Sequence, residues 1–422
     1  MSHISLRTGL RAVSNSNGAS SRCRYFSTTP QHNIQALVQE TESTELNNIL
    51  KHIQDKIILP TYLPKKQRQI VFDVGKRTYL RENPIVMEVE GHEHTFNTID
   101  KAKDLEPAGP MLIKILGLMN SPGEWENLAI VLAGYKRANI KLSPETRGLI
   151  ARKAIIADRI DALLECATHA DKTGMYIMNK EILTRVLSGI NTSSQRGSLK
   201  DAKKALKQAD RVLELVQRKE HSDRWVAGTK GDKPHFSLVA RMLALFTRAK
   251  YVKMLKSMDQ DATKDQLLLH DEALFVSSLY QSQKVDSVEL LRDLMELNPK
   301  NDRERYVWLK KAMKEAFKNK TARPMDNGLR GLNASGYIVT LAQSMQGLRL
   351  TQEILGNGVE SLIPLADGLD AHITQFAQET EAQVDRKKEW AKIYKTVVGT
   401  EPTWQSATST VVDGEKGESE PA

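Results

Sequence analysis

The sequence predicts an all-α fold, an α-solenoid-like array of helical hairpins with one small β-hairpin near the N-terminus. Three observations carry that expectation. Leu, Lys, Ala and Glu are the commonest residues and aromatics make up only 5% of the 422 residues, a composition that favours helix. Apolar residues recur at three- and four-residue spacing in one segment after another, with short polar breaks between them. Residues 110–190 also overlay on themselves after a shift of 35: Trp125 falls on Ile160, Leu128 on Leu163 and Ile140 on Met175. A paired-helix unit of that length cannot bury its apolar face alone and must stack on a neighbour.

The first segment reads as an address. Residues 1–39 hold no Asp or Glu, are rich in Ser and Arg, and place Ile4, Leu6, Leu10 and Val13 on one side of a short helix beside Arg7 and Arg11. A positive, acid-poor, amphipathic segment is drawn by a matrix-negative potential, so residues 1–33 are expected to be a mitochondrial transit peptide. The run Arg24, Tyr25, Phe26, Ser27, Thr28, Thr29 resembles a mitochondrial processing site, and its spacing suits two-step cleavage that leaves Ile34 first. The expected location is the mitochondrion, in the matrix or on the matrix face of the inner membrane. Four arginines of the +9 formal charge (Arg7, Arg11, Arg22, Arg24) fall in this leader, leaving 57 bases against 52 acids. That mild excess is compatible with nucleic acid or an anionic membrane and demands neither. Cys23 lies in the leader and Cys166 on a predicted helix, which leaves no disulfide. No apolar run reaches the roughly 20 residues that cross a bilayer.

Residues 34–108 form a lead-in. A helix over 44–57 turns Leu46, Ile49, Leu50, Ile53 and Ile57 inward until Pro60 and Pro64 break the chain. Lys65, Lys66, Arg68, Lys76 and Arg77 cluster around that break. They read first as solvated surface, although such a cluster can also clamp phosphates. The β-hairpin comes next: Ile85 to Val89 alternates loosely, Gly91 can turn, and Thr95 and Phe96 can return. His92 and His94 would share one face of the strand, but no third ligand is near, and no metal site is expected.

Residues 109–221 are the repeat region. A helix over 110–119 carries Met111, Leu112, Ile115, Leu116 and Met119, and a turn at Asn120, Ser121, Pro122 and Gly123 ends it. The helix over 125–137 carries Leu128, Val131, Leu132 and Tyr135. Ser143, followed by Pro144, caps a helix that runs to about Ile156. Asp158 is expected to cap the next, which holds Ile160, Leu163, Leu164 and Ala167 and stops at Gly174. Asn179 starts another, with Ile182, Leu183, Val186 and Leu187. The helix over 200–220 spaces Ala202, Leu206, Ala209, Leu213 and Val216 as a heptad seam for a partner helix, with Lys200, Lys204, Lys207 and Arg211 on another side.

The run Ala157, Asp158, Arg159, Ile160, Asp161, Ala162, Leu163, Leu164, with Lys172, Thr173, Gly174 and Met175 after it, resembles the second helix of a pentatricopeptide repeat. The resemblance spans one repeat and part of another, about a fifth of the chain. It implies stacked helical hairpins, an organelle location and binding of single-stranded RNA. Where that family reads bases, the sequence departs from it. The two reading positions fall near Gly148 and Met178, and neither side chain offers the paired hydrogen bonds that tell bases apart. The resemblance therefore implies the hairpin shape without the code.

After a polar loop over 222–234, residues 235–398 continue with helices over 237–255, 262–281, 285–297 and 302–320. In the last, Tyr306, Leu309, Met313 and Phe317 share one side. Lys310, Lys314 and Lys318 stack beside them at four-residue spacing, with Lys311, Lys320 and Arg323 close by. Like charges so placed cost a few tenths of a kcal/mol each, a cost that contact with RNA phosphate would offset; a solvated face relieved by Glu315 is the equal alternative. Gly328, Gly331 and Gly336 match no phosphate-binding fingerprint and read as a connection. Helices over 337–355 and 360–398 follow. The second opens at Pro364 and turns Leu365, Leu369, Ile373, Phe376 and a packing residue, His372, inward. Residues 399–422, rich in Ser, Thr, Gly and Glu, are expected to be an acidic disordered tail.

No Gly-rich nucleotide motif, nucleophile elbow, metal-ligand framework or paired-carboxylate signature occurs, and Asp265, Asp271 and Glu272 read as helix surface. A non-enzyme with no cofactor and no small-molecule substrate is therefore expected. Two partner classes fit. The favoured one is a helical scaffold that supports mitochondrial gene expression by binding RNA or the mitochondrial ribosome. In it Lys200, Lys204, Lys207, Arg211, Lys310, Lys314, Lys318, Lys320 and Arg323 lie on phosphates. The other is a protein-binding assembly factor for an inner-membrane respiratory complex, which needs only grooves such as the seam over 202–216.

Overall fold

Short polar side chains at the segment starts decide where the helices begin. The computed structural model describes residues 27–28, 37–177, 179–194, 197–222, 233–319 and 332–404. The expected transit peptide lies almost wholly outside them, as do Met178, Gly328, Gly331 and most of the loop over 222–234. Helix α1 (Thr44–Ile53) starts at Ser43, whose Oγ accepts from the Leu46 N–H at 3.3 Å. It continues through a π-helical turn, Gln54–Ile58, and a 3-10 turn, Leu59–Tyr62, in which Pro60 is buried. Helices α2 (Lys65–Val71) and α3 (Arg77–Glu82) lead into the hairpin.

Strand β2 (Ile85–Val89) pairs antiparallel with β3 (His92–Phe96), and β1 (Ser27–Thr28) runs parallel to β2 at its other edge. Glu90 and Gly91 at the turn take φ of 52° and 83°, the two positive values that a tight two-residue hairpin needs. Met87, Val89 and Phe96 pack with Leu59, Leu63, Val71 and Leu80 in a small core of their own.

The helices then follow one another closely. They are α4 (Ala108–Leu118), α5 (Pro122–Arg137), α6 (Pro144–Ile156), α7 (Ile160–Thr168), α8 (Ala170–Thr173), α9 (Lys180–Ser193), α10 (Leu199–Leu215) and α11 (Lys219–Ser222). Ser121 and Glu124 close a capping box on α5, Ser143 accepts from the Thr146 N–H at 3.1 Å, and Asn179 accepts from the Glu181 N–H at 2.8 Å. Contacts run between neighbours and past them: α4 packs on α6, α5 on α7 and α8, α6 on α7 and α9, and α9 on α10. The residues that overlay at a shift of 35, Trp125 with Ile160 and Leu128 with Leu163, are all buried. Asp158, however, does not cap α7. It sits at φ 56° in the α6–α7 turn and accepts from Ser193 Oγ at 2.7 Å, and Arg159 takes the cap position. A carboxylate held by another helix is not free to satisfy its own helix start.

The C-terminal half is built on two long apolar helices, α12 (Leu238–Ser257) and α16 (Ala334–Leu355), which pack along each other. Their approach is set by Gly347, where a Cβ would stand 2.8 Å from the Phe246 Cβ and 2.9 Å from its Cα. Helices α13 (Thr263–Ser282), α14 (Arg292–Leu297), α15 (Pro299–Asn319), α17 (Ile363–Glu379) and α18 (Val384–Val398) complete this half. Through α9, which touches both α12 and α16, it shares one continuous apolar core with the first half, from Leu46 to Trp404.

Four expectations change here. Residues 285–297 form a 3-10 turn, Val288–Leu290, and then α14, because Ser287 caps the turn and Leu291 is extended at ψ 125°. Residues 360–398 are not one helix: Thr380 is extended at ψ 117°, and α18 turns back to bury Trp390, Ala391 and Tyr394. The tail does not begin at 399. Gly399, at φ 91°, closes α18, and Trp404 is buried with its ring edge-on to Tyr394 at 5.1 Å; residues 405–422 lie outside the described part. Phe317, expected inward, is 82% exposed, while the side chains of Tyr306, Leu309 and Met313 lie outside the described part.

Candidate nucleic-acid interface

Helix α10 carries four of the predicted phosphate contacts, and the structure divides them. Ala202, Ala205, Leu206, Ala209, Val212 and Leu213 are buried, and α10 packs on α9 and α12. The heptad seam is thus a broad internal face closed by the chain's own helices, which removes it as a groove for a partner. Lys204 and Arg211 flank that face toward α7. Lys204 Nζ lies 2.6 Å from Asp161, and Arg211 lies 3.2 Å from Glu165 while donating to Thr168 Oγ1 at 2.6 Å. Burial pushes the Asp161 carboxyl up, but hydrogen bonds from Lys204 and Gln208 and the charges of Lys204 and Arg211 outweigh it and hold it below the usual range. These two cations bridge α7 to α10 at the surface, where both side chains remain exposed. Lys200 and Lys207 are exposed and form no ion pair among the described residues. Lys203 is exposed beside them, on the same side of the helix by its three- and four-residue spacing. Sequence reasoning missed it, although that spacing was the signal that could have found it.

On α15, Lys310, Lys314 and Lys318 are exposed, with Lys311 beside them. Lys320 and Arg323 lie outside the described residues. The helix runs 21 residues, about 32 Å at 1.5 Å per residue, and packs chiefly on α14. Val307 and Phe317 are exposed on it as well, so the row offers apolar contact next to charge. The two lysine rows lie on different helices, α10 packed on α9 and α12 and α15 packed on α14.

Other ionisable groups resolve as internal supports. Asp265 and Glu272 are not isolated surface acids: with Asp210 they converge on buried Arg248, at 3.7, 3.2 and 2.7 Å. Asp271 is exposed. Lys180, 1% exposed, lies 2.7 Å from Asp293 and 2.9 Å from Glu296. Glu181 receives both Arg152 and Arg185, at 2.9 and 2.8 Å. His372 is buried, with its Nε2 3.0 Å from the Tyr337 hydroxyl. His94 packs edge-on to Phe96 at 4.7 Å and faces Asp55 at 3.9 Å. Among the described residues no three His, Cys, Asp or Glu side chains group as metal ligands would. Gly148 is buried within α6 beside Arg152 and Glu181, so the position where the repeat family reads a base is internal here.

One feature had no contiguous sequence signal. A cleft of about 670 Å³ opens between the lead-in and the end of α5, lined by Lys56, Arg68, Phe72, Lys101 and Arg137. These residues lie up to 81 positions apart, and Arg68 alone belonged to a recognised basic cluster. Glu106 is the one acid on its wall. The Arg137 guanidinium carbon lies over the Tyr62 ring, 3.8 Å from its centre, and Lys101 Nζ sits 4.9 Å from the Phe72 ring centre. Lys56 pairs weakly with Asp104 at 3.8 Å, whereas Arg68, Lys101 and Arg137 form no ion pair among the described residues.

Comparison with known proteins gives these surfaces a context. A family model described as mitochondrial ribosomal protein mS27 matches residues 24–405. The small ribosomal subunit protein mS27 of Neurospora crassa is 28% identical over 253 residues, which cover 58% of this chain and 60% of the relative. The match thus spans three fifths of that curated relative's length.

Proposed function

We propose that this chain, which belongs to the mitochondrial ribosomal protein mS27 family, is a non-catalytic helical component of the small subunit of the mitochondrial ribosome. The observation that carries this reading is the family match over residues 24–405, which takes in every helix described above. In this reading the stacked hairpins are a platform of solenoid type, delivered to the matrix by residues 1–33. Lys200, Lys203 and Lys207 on α10 and Lys310, Lys314 and Lys318 on α15 meet ribosomal RNA phosphates. Lys320 and Arg323 extend the second row in sequence. Lys204 and Arg211, drawn to α7, support the platform. Gly148 is buried, so RNA is held through its backbone and shape and not read base by base.

The test is sedimentation. Full-length tagged chain is expected to travel with the small ribosomal subunit when mitochondrial extract is run through a sucrose gradient. A variant carrying Lys200→Glu, Lys203→Glu, Lys207→Glu, Lys310→Glu, Lys314→Glu and Lys318→Glu should leave the subunit at a lower salt concentration than the parent. A chain that stays at the top of the gradient while intact small subunits run below it would overturn the reading. Nuclease-resistant association with an inner-membrane complex would overturn it in favour of the assembly-factor alternative.

A further inference from the structure

The lysine rows are exposed helix faces, suited to contact with a phosphate backbone. The cleft between the lead-in and α5 is different in kind. It is concave, its volume of about 670 Å³ falls in the range of small-ligand sites, and its walls combine cations with ring faces. We propose that this cleft receives one nucleotide of a single-stranded RNA segment, its phosphate on Arg68, Lys101 and Arg137 and its base against Phe72 and the Arg137 guanidinium. The proposal rests on the ribosomal reading above for its RNA and on the cleft alone for its chemistry.

Charge comes first. The lining holds four cations and one acid, and only Lys56 has an acidic partner among the described residues. Three cations in one cleft, none held in an ion pair among the described residues, raise one another's energy unless an anion arrives between them. The cleft floor adds to this. Helix α4 opens at Ala108 on the cleft wall, with Pro107 at its cap, no side-chain cap and no acid in its first turn. Its free N–H groups give a partial positive charge that also favours an anion.

Shape comes second. A bare phosphate needs only a fraction of this volume. The remainder is bordered by Phe72 and by a guanidinium already backed on one face by Tyr62. An arginine fixed on one side by an aromatic ring presents its other face as a flat, cationic platform, a surface on which an unpaired base stacks. Asn139, at φ 60°, ends α5 here, and the turn places Arg137, Ala138 and Ile140 together on the cleft wall. Phosphate grip and stacking surface in one cleft match a nucleotide better than an acidic peptide, which would need the first and not the second.

The experiment titrates the full chain into fluorescein-labelled 12-nucleotide poly(U) at several salt concentrations. The variant Arg68→Ala/Lys101→Ala/Arg137→Ala should bind at least tenfold more weakly. Its slope of log affinity against log salt should fall by about 0.7 for each phosphate that is no longer neutralised. Phe72→Leu, which keeps an apolar side chain, should weaken binding several-fold with the slope unchanged. In the unmutated chain, RNA carrying 4-thiouridine should crosslink to peptides containing Phe72 or Arg137, a readout that needs no variant to fold. Unchanged affinity in the triple variant, with crosslinks only elsewhere, would overturn the proposal. Displacement of poly(U) by micromolar UMP would also overturn it, by assigning the cleft to a free nucleotide. Sedimentation separates the two readings: a chain that travels with the subunit but gives no crosslink in the cleft removes the cleft and leaves the ribosomal reading standing.

Discussion

Lys180 shows how much can depend on a side chain that the sequence presents as an ordinary helix start. Burial disfavours its charge, yet Asp293 and Glu296 outweigh that and hold its ammonium above the ordinary lysine value. Asp293 also accepts from Ser237 Oγ at 2.7 Å and from the Val239 N–H at 3.2 Å, so the pair fixes the start of α12 against α9. Removing one partner of a buried ion pair leaves the other uncompensated, at a cost of about 3–5 kcal/mol. Lys180→Met is expected to lower the free energy of urea unfolding by about that amount, and adding Asp293→Asn should recover part of it. His221 predicts an acid sensitivity. Its Nδ1 accepts from the Ile177 N–H and its Nε2 faces the Ala167 carbonyl, both at 3.0 Å, a pattern that only the neutral Nε2–H tautomer satisfies. Burial is the main cause of its lowered pKa; the Ala167 and Glu220 contributions oppose it and Arg218 adds to it. The folded value lies below the unfolded one near 6.5, so below that pH the unfolded chain binds a proton that the native chain resists. Stability should therefore be level above about pH 7.5 and fall below about 6.5, by at most about 1.4 kcal/mol per pH unit for this group. Urea unfolding at pH 7.5 and 5.5 checks this, and His221→Gln should reduce the slope, leaving the share of His94, His235 and His372, whose pKa values burial also lowers. An unchanged slope would reject His221 as its source.

At the level of elements, α12 and α16 are held at a distance only glycine permits. Gly347→Ala would place a methyl group against the Phe246 backbone, and overpacking of this kind costs about 1–3 kcal/mol. The variant is expected to melt several degrees lower, whereas Gly117→Ala, on an open face of α4, should not. The elements themselves were largely legible because their signals are local. Ser143, Asn179 and Gly174 stop or start helices with their own side chains or backbone freedom, and the buried faces of α5, α9 and α17 follow apolar spacing. The failures share one cause. The break at Thr380 and the burial of Trp404 depend on what α18 can cover, and Asp158 is claimed by Ser193 on another helix. The same holds for the candidate surface. Periodicity placed the lysines of α10 on one side, but it could not say that Asp161 and Glu165 of α7 would engage two of them. The cleft was illegible because Arg68, Lys101 and Arg137 meet only once the lead-in folds onto α5.

Across the whole molecule the question is whether the hairpins behave as separable units or as one body. A repeat array stacks each unit only on its neighbours, and its ends can unfold at different denaturant concentrations. Here α9 couples the halves with buried polar bonds as well as apolar packing. Asn191 donates to the Leu243 carbonyl at 3.0 Å and accepts from Thr247 Oγ1 at 2.6 Å, tying α9 to α12. Gln343 of α16 donates to the Ser188 carbonyl at 3.2 Å and to Thr192 Oγ1 at 3.1 Å. Buried groups so paired are costly to part, because each side would be left unsatisfied. Trp125 on α5 and Trp390 on α18, both buried, report on the two halves of this core. In two chains that keep only one or the other tryptophan, with the rest changed to Phe, fluorescence should give coincident urea midpoints. Asn191→Ala should lower both midpoints together, since its partners serve the junction between halves. Separate midpoints in the parent chains would show that the hairpins unfold as independent units and that the α9 bonds do not bind them into one.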